Sequence, residues 1–117
     1  MNKYCAVIEL KPDSLEKYIK LHKEIHKGPY KELLKIIAES GVKEEAIFMY
    51  KNLAIVYFEA EDLDACYKYQ QKFKVYDEWH VQMMPLFEAK YELTGSGNFA
   101  IPMVEKVFDL REQLERM

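Results

Sequence analysis

The chain has only two cysteines in 117 residues, Cys5 and Cys66, and no CxxC spacing. That leaves no disulfide framework and no zinc-finger ligand spacing, and a reducing cytoplasm is the expected compartment. Four glycines and four prolines are too few for a low-complexity tract or an interdomain linker. Basic residues are not in excess: 17 Lys and Arg stand against 20 Asp and Glu, a formal charge of -3. Nucleic acid would find no cationic face from which to displace counterions. No apolar stretch is long enough to span a bilayer. The opening "MNKYCAVIELK" is interrupted by Glu9 before a signal-peptide core can form, so neither a leader nor an anchor is expected. GxSxG, a phosphate-binding loop and a Cys/His nucleophile arrangement are all missing, and the "GSG" of "LTGSGNF" lacks dinucleotide-fingerprint spacing. No cofactor is expected, and the chemistry must be what side chains alone can do.

Half of the residues are apolar or aromatic, enough for one core, so residues 1–117 are expected to form a single domain. "KYCAVIEL" is rich in strand formers and stops at Lys11-Pro12. Asp13, with Glu16 three residues on, predicts the N-cap of a first helix whose inner stripe is Leu15, Tyr18, Ile19, His22, Ile25 and His26. Gly28-Pro29 breaks it, after which Tyr30, Leu33, Leu34 and Ile37 predict a second helical stripe ending at Gly41. "EEAIFMY" and "LAIVYFEA" flank Lys51-Asn52 as a hairpin. Asp62 or Asp64 caps a helix through Leu63, Cys66 and Tyr67, and "VYDEWHVQMM" predicts another before Pro85. Two strand-like runs, "LFEAKYEL" and "MVEKVFDL", close the chain around the loop "TGSGNFAIP".

This order predicts an α+β ferredoxin-like sandwich, a split βαβ whose antiparallel sheet is covered by helices on one face. "LAIVYF" is apolar at nearly every position, so the bare face also wants cover, and a homodimer is the expected source.

Tyr18, His22 and His26 recur at i, i+4 and i+8 and so share one helix face. They are either inner-face residues, each with a hydrogen bond, or a pocket wall in which a histidine supplies an acid and a base in one side chain. His22 and His26 also have the spacing of a metal pair that His80 or a carboxylate could complete, but Lys23 stands where a zinc-protease motif needs glutamate, and no metal is expected. Trp79, the one tryptophan, lies between Asp77-Glu78 and His80, as core filler or as a flat platform for a sugar.

"KPDSLEKYIKLH" resembles the N-terminal Pro-Asp…Glu-Tyr…His motif of the L-rhamnose mutarotase family. The resemblance covers nearly the whole chain, through "LLKIIAESGVKEEAIF", "KNLAIVYFEAED", "VYDEWHVQMM" and "VEKVFDL", and is carried by Pro12, Asp13, Tyr18, His22 and Trp79. It implies a dimeric α/β barrel type of ferredoxin-like subunit that interconverts the anomers of an aldopyranose without a cofactor. His22 would be the catalytic acid, with Tyr18 and Trp79 on the monosaccharide. Glu45 stands where that family has a tyrosine and could serve as a base or bind hydroxyls, and His80 stands where it has a second tryptophan, giving up stacking area for a titratable group; both are expected to bind substrate. "IHKGPYKEL" replaces the family's Ile-Trp-Pro-Glu stretch. Two other readings are open: a dimeric module that holds a small metabolite without converting it, and a monooxygenase of the related barrel.

Overall fold

The computed structural model describes residues 1–88 and 102–117. Strand β1 (Asn2–Glu9) leads through a 3₁₀ turn (Pro12–Ser14) into helix α1 (Leu15–Lys23). A second 3₁₀ turn (Ile25–Lys27) and the Gly28-Pro29 break precede α2 (Glu32–Glu39). Strands β2 (Glu44–Tyr50) and β3 (Leu53–Ala60) form the expected hairpin, with Lys51 at φ 55° in its tight link. Helices α3 (Leu63–Gln70) and α4 (Lys74–Met83) follow, then β4 (Met103–Val104) and α5 (Leu110–Glu115).

The sheet has the order β2-β3-β1-β4, and every pairing is antiparallel. In β3 the side chains alternate strictly: Ala54, Val56, Phe58 and Ala60 are buried, while Leu53, Ile55, Tyr57 and Glu59 are half-buried. Pairing carries that alternation to the neighbours, since residues directly opposite in a ladder point to the same face. Tyr4, Ala6 and Ile8 of β1 and Glu45, Ile47 and Met49 of β2 thereby join the helix-covered side. There they meet Tyr18, Leu33, Ile36, Leu63, Cys66, Tyr76, Trp79 and Met83 in one core.

Several local expectations are corrected. Asp13 does not cap α1; it lies within the 3₁₀ turn that precedes the helix, and Ser14 occupies the N-cap position without a side-chain bond. The α1 helix ends at Lys23, so Ile25 and His26 leave its stripe, and His26 is exposed. In α2 the inner positions are Leu33 and Ile36, whereas Leu34 is 42% exposed. Asp62, not Asp64, caps α3, accepting the Ala65 N–H at 3.2 Å. Of "MVEKVFDL" only Met103 and Val104 pair as strand, and Asp109 instead caps a helix by accepting the Glu112 N–H at 3.2 Å. Leu86 lies in a 3₁₀ turn and Phe87 bridges Leu10; the rest of "LFEAKYEL", from Ala89, and the loop with Gly95 and Gly97 lie outside the described residues.

Gly41 ends α2 with φ +108°, a backbone state that L side chains rarely adopt, and this turn sends the chain back into β2. Asp109 ties the C-terminal segment to the sheet through Lys3 at 2.7 Å and Lys106 at 3.6 Å. The Lys3 hydrogen bond comes first, followed by the Glu112 N–H, in holding its carboxyl down at about 2.

Candidate functional site

Tyr18, His22, Glu45, Trp79 and His80 all line one cavity between the helices and the inner face of the sheet. The cavity is about 110 Å³. At His22, Glu45 and Trp79 it continues into a wider surface cleft bounded by Lys23 and Lys43. A space this small takes one small molecule. Its base is the apolar sheet floor of Ile8, Ile47, Val56 and Phe58, so a ligand inside loses water from most of its surface.

Helix geometry fixes the first titratable group. Tyr18 is buried at 3% exposure, and His22, one turn on, reaches back so that its Nδ1 lies 2.8 Å from the Tyr18 carbonyl oxygen. A carbonyl can only accept, so Nδ1 of the neutral ring carries the proton and donates it. Burial lowers the pKa of His22, and the Tyr18 carbonyl opposes this by favouring the charged ring. The rings of Tyr18 and His22 lie 4.2 Å apart between centroids, and the indole of Trp79 meets the imidazole edge-on at 5.1 Å. Tyr30 packs on Trp79 from another side at 5.4 Å. Trp79, 8% exposed, is thus both core filler and pocket wall.

Helix α4 repeats the arrangement of α1. His80 Nδ1 lies 2.8 Å from the Tyr76 carbonyl, and their ring centroids are 4.1 Å apart. Burial lowers the His80 pKa as well, against the opposing pull of that carbonyl and of Asp77. Burial also holds both phenols in their protonated form, Tyr76 at about 12. Tyr76 was not picked out by sequence reasoning, nor were Tyr67 and Gln70, which also line the cavity. The spacing Tyr76-x-x-x-His80, identical to Tyr18-x-x-x-His22, is the signal that could have found Tyr76.

Glu45 stands opposite Phe58 in the β2–β3 ladder, so its side chain is on the pocket side. As a whole residue it is exposed, because the cavity and the cleft both open beside it. The protein around the carboxyl nonetheless pushes its pKa up to about 7 by burial.

His26 lies outside this cavity, on the exposed 3₁₀ turn, so the expected spacing of a His22–His26 metal pair is not realised on a regular helix. Among the described residues no three His, Cys, Asp or Glu side chains cluster as a metal site, and no helix is long and apolar enough to cross a membrane.

The fold is that of several solved structures. One is L-rhamnose mutarotase FA22100 from Formosa agariphila, 15% identical with a TM-score of 0.67, the match covering 93% of this chain and 98% of that one. Another is tetracenomycin F2 cyclase, a type-II polyketide cyclase from Streptomyces glaucescens, 16% identical with a TM-score of 0.57 over 93% and 96% of the two chains. Rv0793 from Mycobacterium tuberculosis is 11% identical with a TM-score of 0.53 over 92% and 95%. At these identities the likeness shows the fold alone, a four-stranded antiparallel sheet with helices packed on it. No curated protein matches the sequence. The family described as L-rhamnose mutarotase, however, matches residues 3–110, nearly the entire chain. The protein therefore belongs to the L-rhamnose mutarotase family, isomerases that interconvert the anomers of rhamnose.

Proposed function

We propose that the cavity between α1, α4 and the sheet is the mutarotation site, with His22 as its acid–base group and Tyr18, Trp79, His80 and Glu45 as its substrate contacts. The observation that carries this reading is the placement of a hydrogen-bonded, neutral imidazole in the wall of a small apolar cavity.

The anomers of an aldopyranose differ only in which face of C1 holds the hydroxyl, and the oxidation state does not change between them. Opening the ring requires a proton to leave the anomeric hydroxyl and another to reach the ring oxygen as the C1–O5 bond breaks. Rotation about C1–C2 and closure on the other face of the carbonyl reverse both transfers. A positioned acid–base group contributes ~10²–10⁴-fold, a sensible demand for a reaction that already proceeds in water. The indole of Trp79 offers an aromatic wall to the sugar's C–H face, while Tyr18, Glu45 and His80 can bond its hydroxyls.

A second copy of the chain is proposed to cover the outer face of the sheet. Phe48 and Tyr50 on that face of β2 are 63% and 60% exposed, and Val104 lies on the same face opposite Cys5. An antiparallel sheet with apolar side chains on both faces calls for cover on both.

The test is anomer exchange by NMR saturation transfer with L-rhamnose, L-fucose and other aldoses, on wild type and His22→Ala. Acceleration by the wild type alone is expected. Equal rates for the two proteins would remove His22 from the mechanism, and no acceleration with any sugar would remove the reaction from this pocket.

A further inference from the structure

We propose that Glu45 is a second catalytic residue of the pocket, the acid that protonates the ring oxygen while His22 takes the proton from the anomeric hydroxyl. The proposal rests on reading the cavity as the mutarotation site, and it follows from asking which group there can give a proton.

His22 cannot be that group in its resting state. Its Nδ1 proton is committed to the Tyr18 carbonyl at 2.8 Å, so the neutral ring has only a basic Nε2 to offer the sugar. Burial lowers its pKa and keeps the ring in that form. His80, bonded in the same way to the Tyr76 carbonyl, has the same tautomer when neutral. The phenols of Tyr18 and Tyr76 are held protonated, but a raised pKa makes each a weak donor. The Gln70 amide donates to Ser40 Oγ at 3.1 Å and has no proton to transfer.

Among the described residues Glu45 is the one carboxyl that lines the cavity. It enters from β2, borders the cleft together with His22 and Trp79, and lies near enough to Tyr18 for its charge to raise that phenol's pKa. Sheet and helix thus bring a carboxyl and an imidazole to the same opening from different elements. Among the described residues the titratable and charged groups around it are Tyr18, His22 and Lys23 of α1, Lys43 and Glu44 beside it in the chain, and Tyr67, Tyr76 and His80 across the cavity. Burial is what keeps its proton on up to about pH 7.

The cycle balances. His22 Nε2 accepts the hydroxyl proton, the C1–O5 bond breaks as C1=O1 forms, and Glu45 delivers its proton to O5. That leaves an imidazolium, a carboxylate and a neutral open-chain sugar. After rotation about C1–C2, O5 attacks C1 and returns its proton to Glu45 while O1 regains one from His22. Each group is acid in one direction and base in the other, and nothing is consumed.

The experiment compares wild type, Glu45→Gln, Glu45→Asp and His22→Ala for sugar exchange between pH 5 and 9, with sugar-induced shifts in melting temperature as the measure of binding. Glu45→Gln should still bind sugar but lose roughly 10²-fold or more in exchange near pH 6.5, with partial recovery in Glu45→Asp. The fall in wild-type rate above about pH 7 should vanish in Glu45→Gln. Glu45→Gln exchanging sugar at the wild-type rate, with that fall intact, would overturn the proposal while leaving the mutarotase reading standing. A wild type that accelerates no sugar would sink the reading itself, and with it the proposal. Carbon-13 titration of the Glu45 carboxyl in the wild-type protein gives an independent readout. A midpoint near 7 is expected, and one in the ordinary carboxylate range overturns the role.

Discussion

The indole of Trp79 meets the imidazole of His22 edge-on, with ring centroids 5.1 Å apart and planes at 83°. Because Trp79 is the only tryptophan of the chain, its emission reports on this wall of the pocket alone.

A pH titration of that emission should follow the charge on His22. Burial lowers the His22 pKa, so the ring stays neutral down to a pH below 6.5, and the quenching expected of an adjacent imidazolium should set in only below that value. The same depression means that folding stability contributed by the neutral, buried ring is present above the unfolded pKa of about 6.5 and is lost as acid charges it. Replacing His22 with Gln should remove the emission step, and a midpoint above 6.5 would contradict the desolvated setting.

Gly41→Ala should lower stability by about 1–3 kcal/mol, the cost of forcing an L residue into a left-handed backbone state. The added Cβ would stand 3.4 Å from Cys66 Sγ, a contact that a small shift relieves, so the backbone supplies most of the loss. Chemical denaturation measures it; unchanged stability would show that the turn can rearrange.

Asp109→Ala should release the C-terminal segment, since this carboxylate joins Lys3, Lys106 and the Glu112 N–H at one point. Limited proteolysis should then cut residues 105–117 at low protease concentration. Because the folded pKa is depressed to about 2, the attachment is fully present above the unfolded value near 3.8 and is lost as pH falls through about 2. Protection of the segment that survives the substitution would mean that apolar contacts alone hold it.

Phe48→Glu should give monomers in light scattering, since a carboxylate on the outer sheet face would be stranded without water in a paired state. A wild type that is itself monomeric at high concentration would refute the dimer.

The fold was legible where short-range physics decides. Alternation in "LAIVYFEA", Pro12 after β1 and Gly41 after α2 each act within a few residues, and each element appeared where they put it. The candidate residues Tyr18, His22, Trp79 and His80, drawn from spacing and resemblance, line one cavity. The side of Glu45 was not legible, because a one-residue slip of β2 against β3 would have turned it away from the helices; the pairing with Phe58 decides it. The strand expected in "MVEKVFDL" failed because Asp109 has a stronger local alternative, capping a helix while bound to two lysines that are remote or uninformative in sequence.

Helices α1 and α4 bring to the cavity the same Tyr-x-x-x-His unit, with the same 2.8 Å bond and ring spacings of 4.2 and 4.1 Å. Each carbonyl takes the Nδ1 proton of its own helix's histidine, so two separate helices each contribute a basic Nε2 to one cavity, and exchanging either histidine leaves the other's anchoring bond untouched.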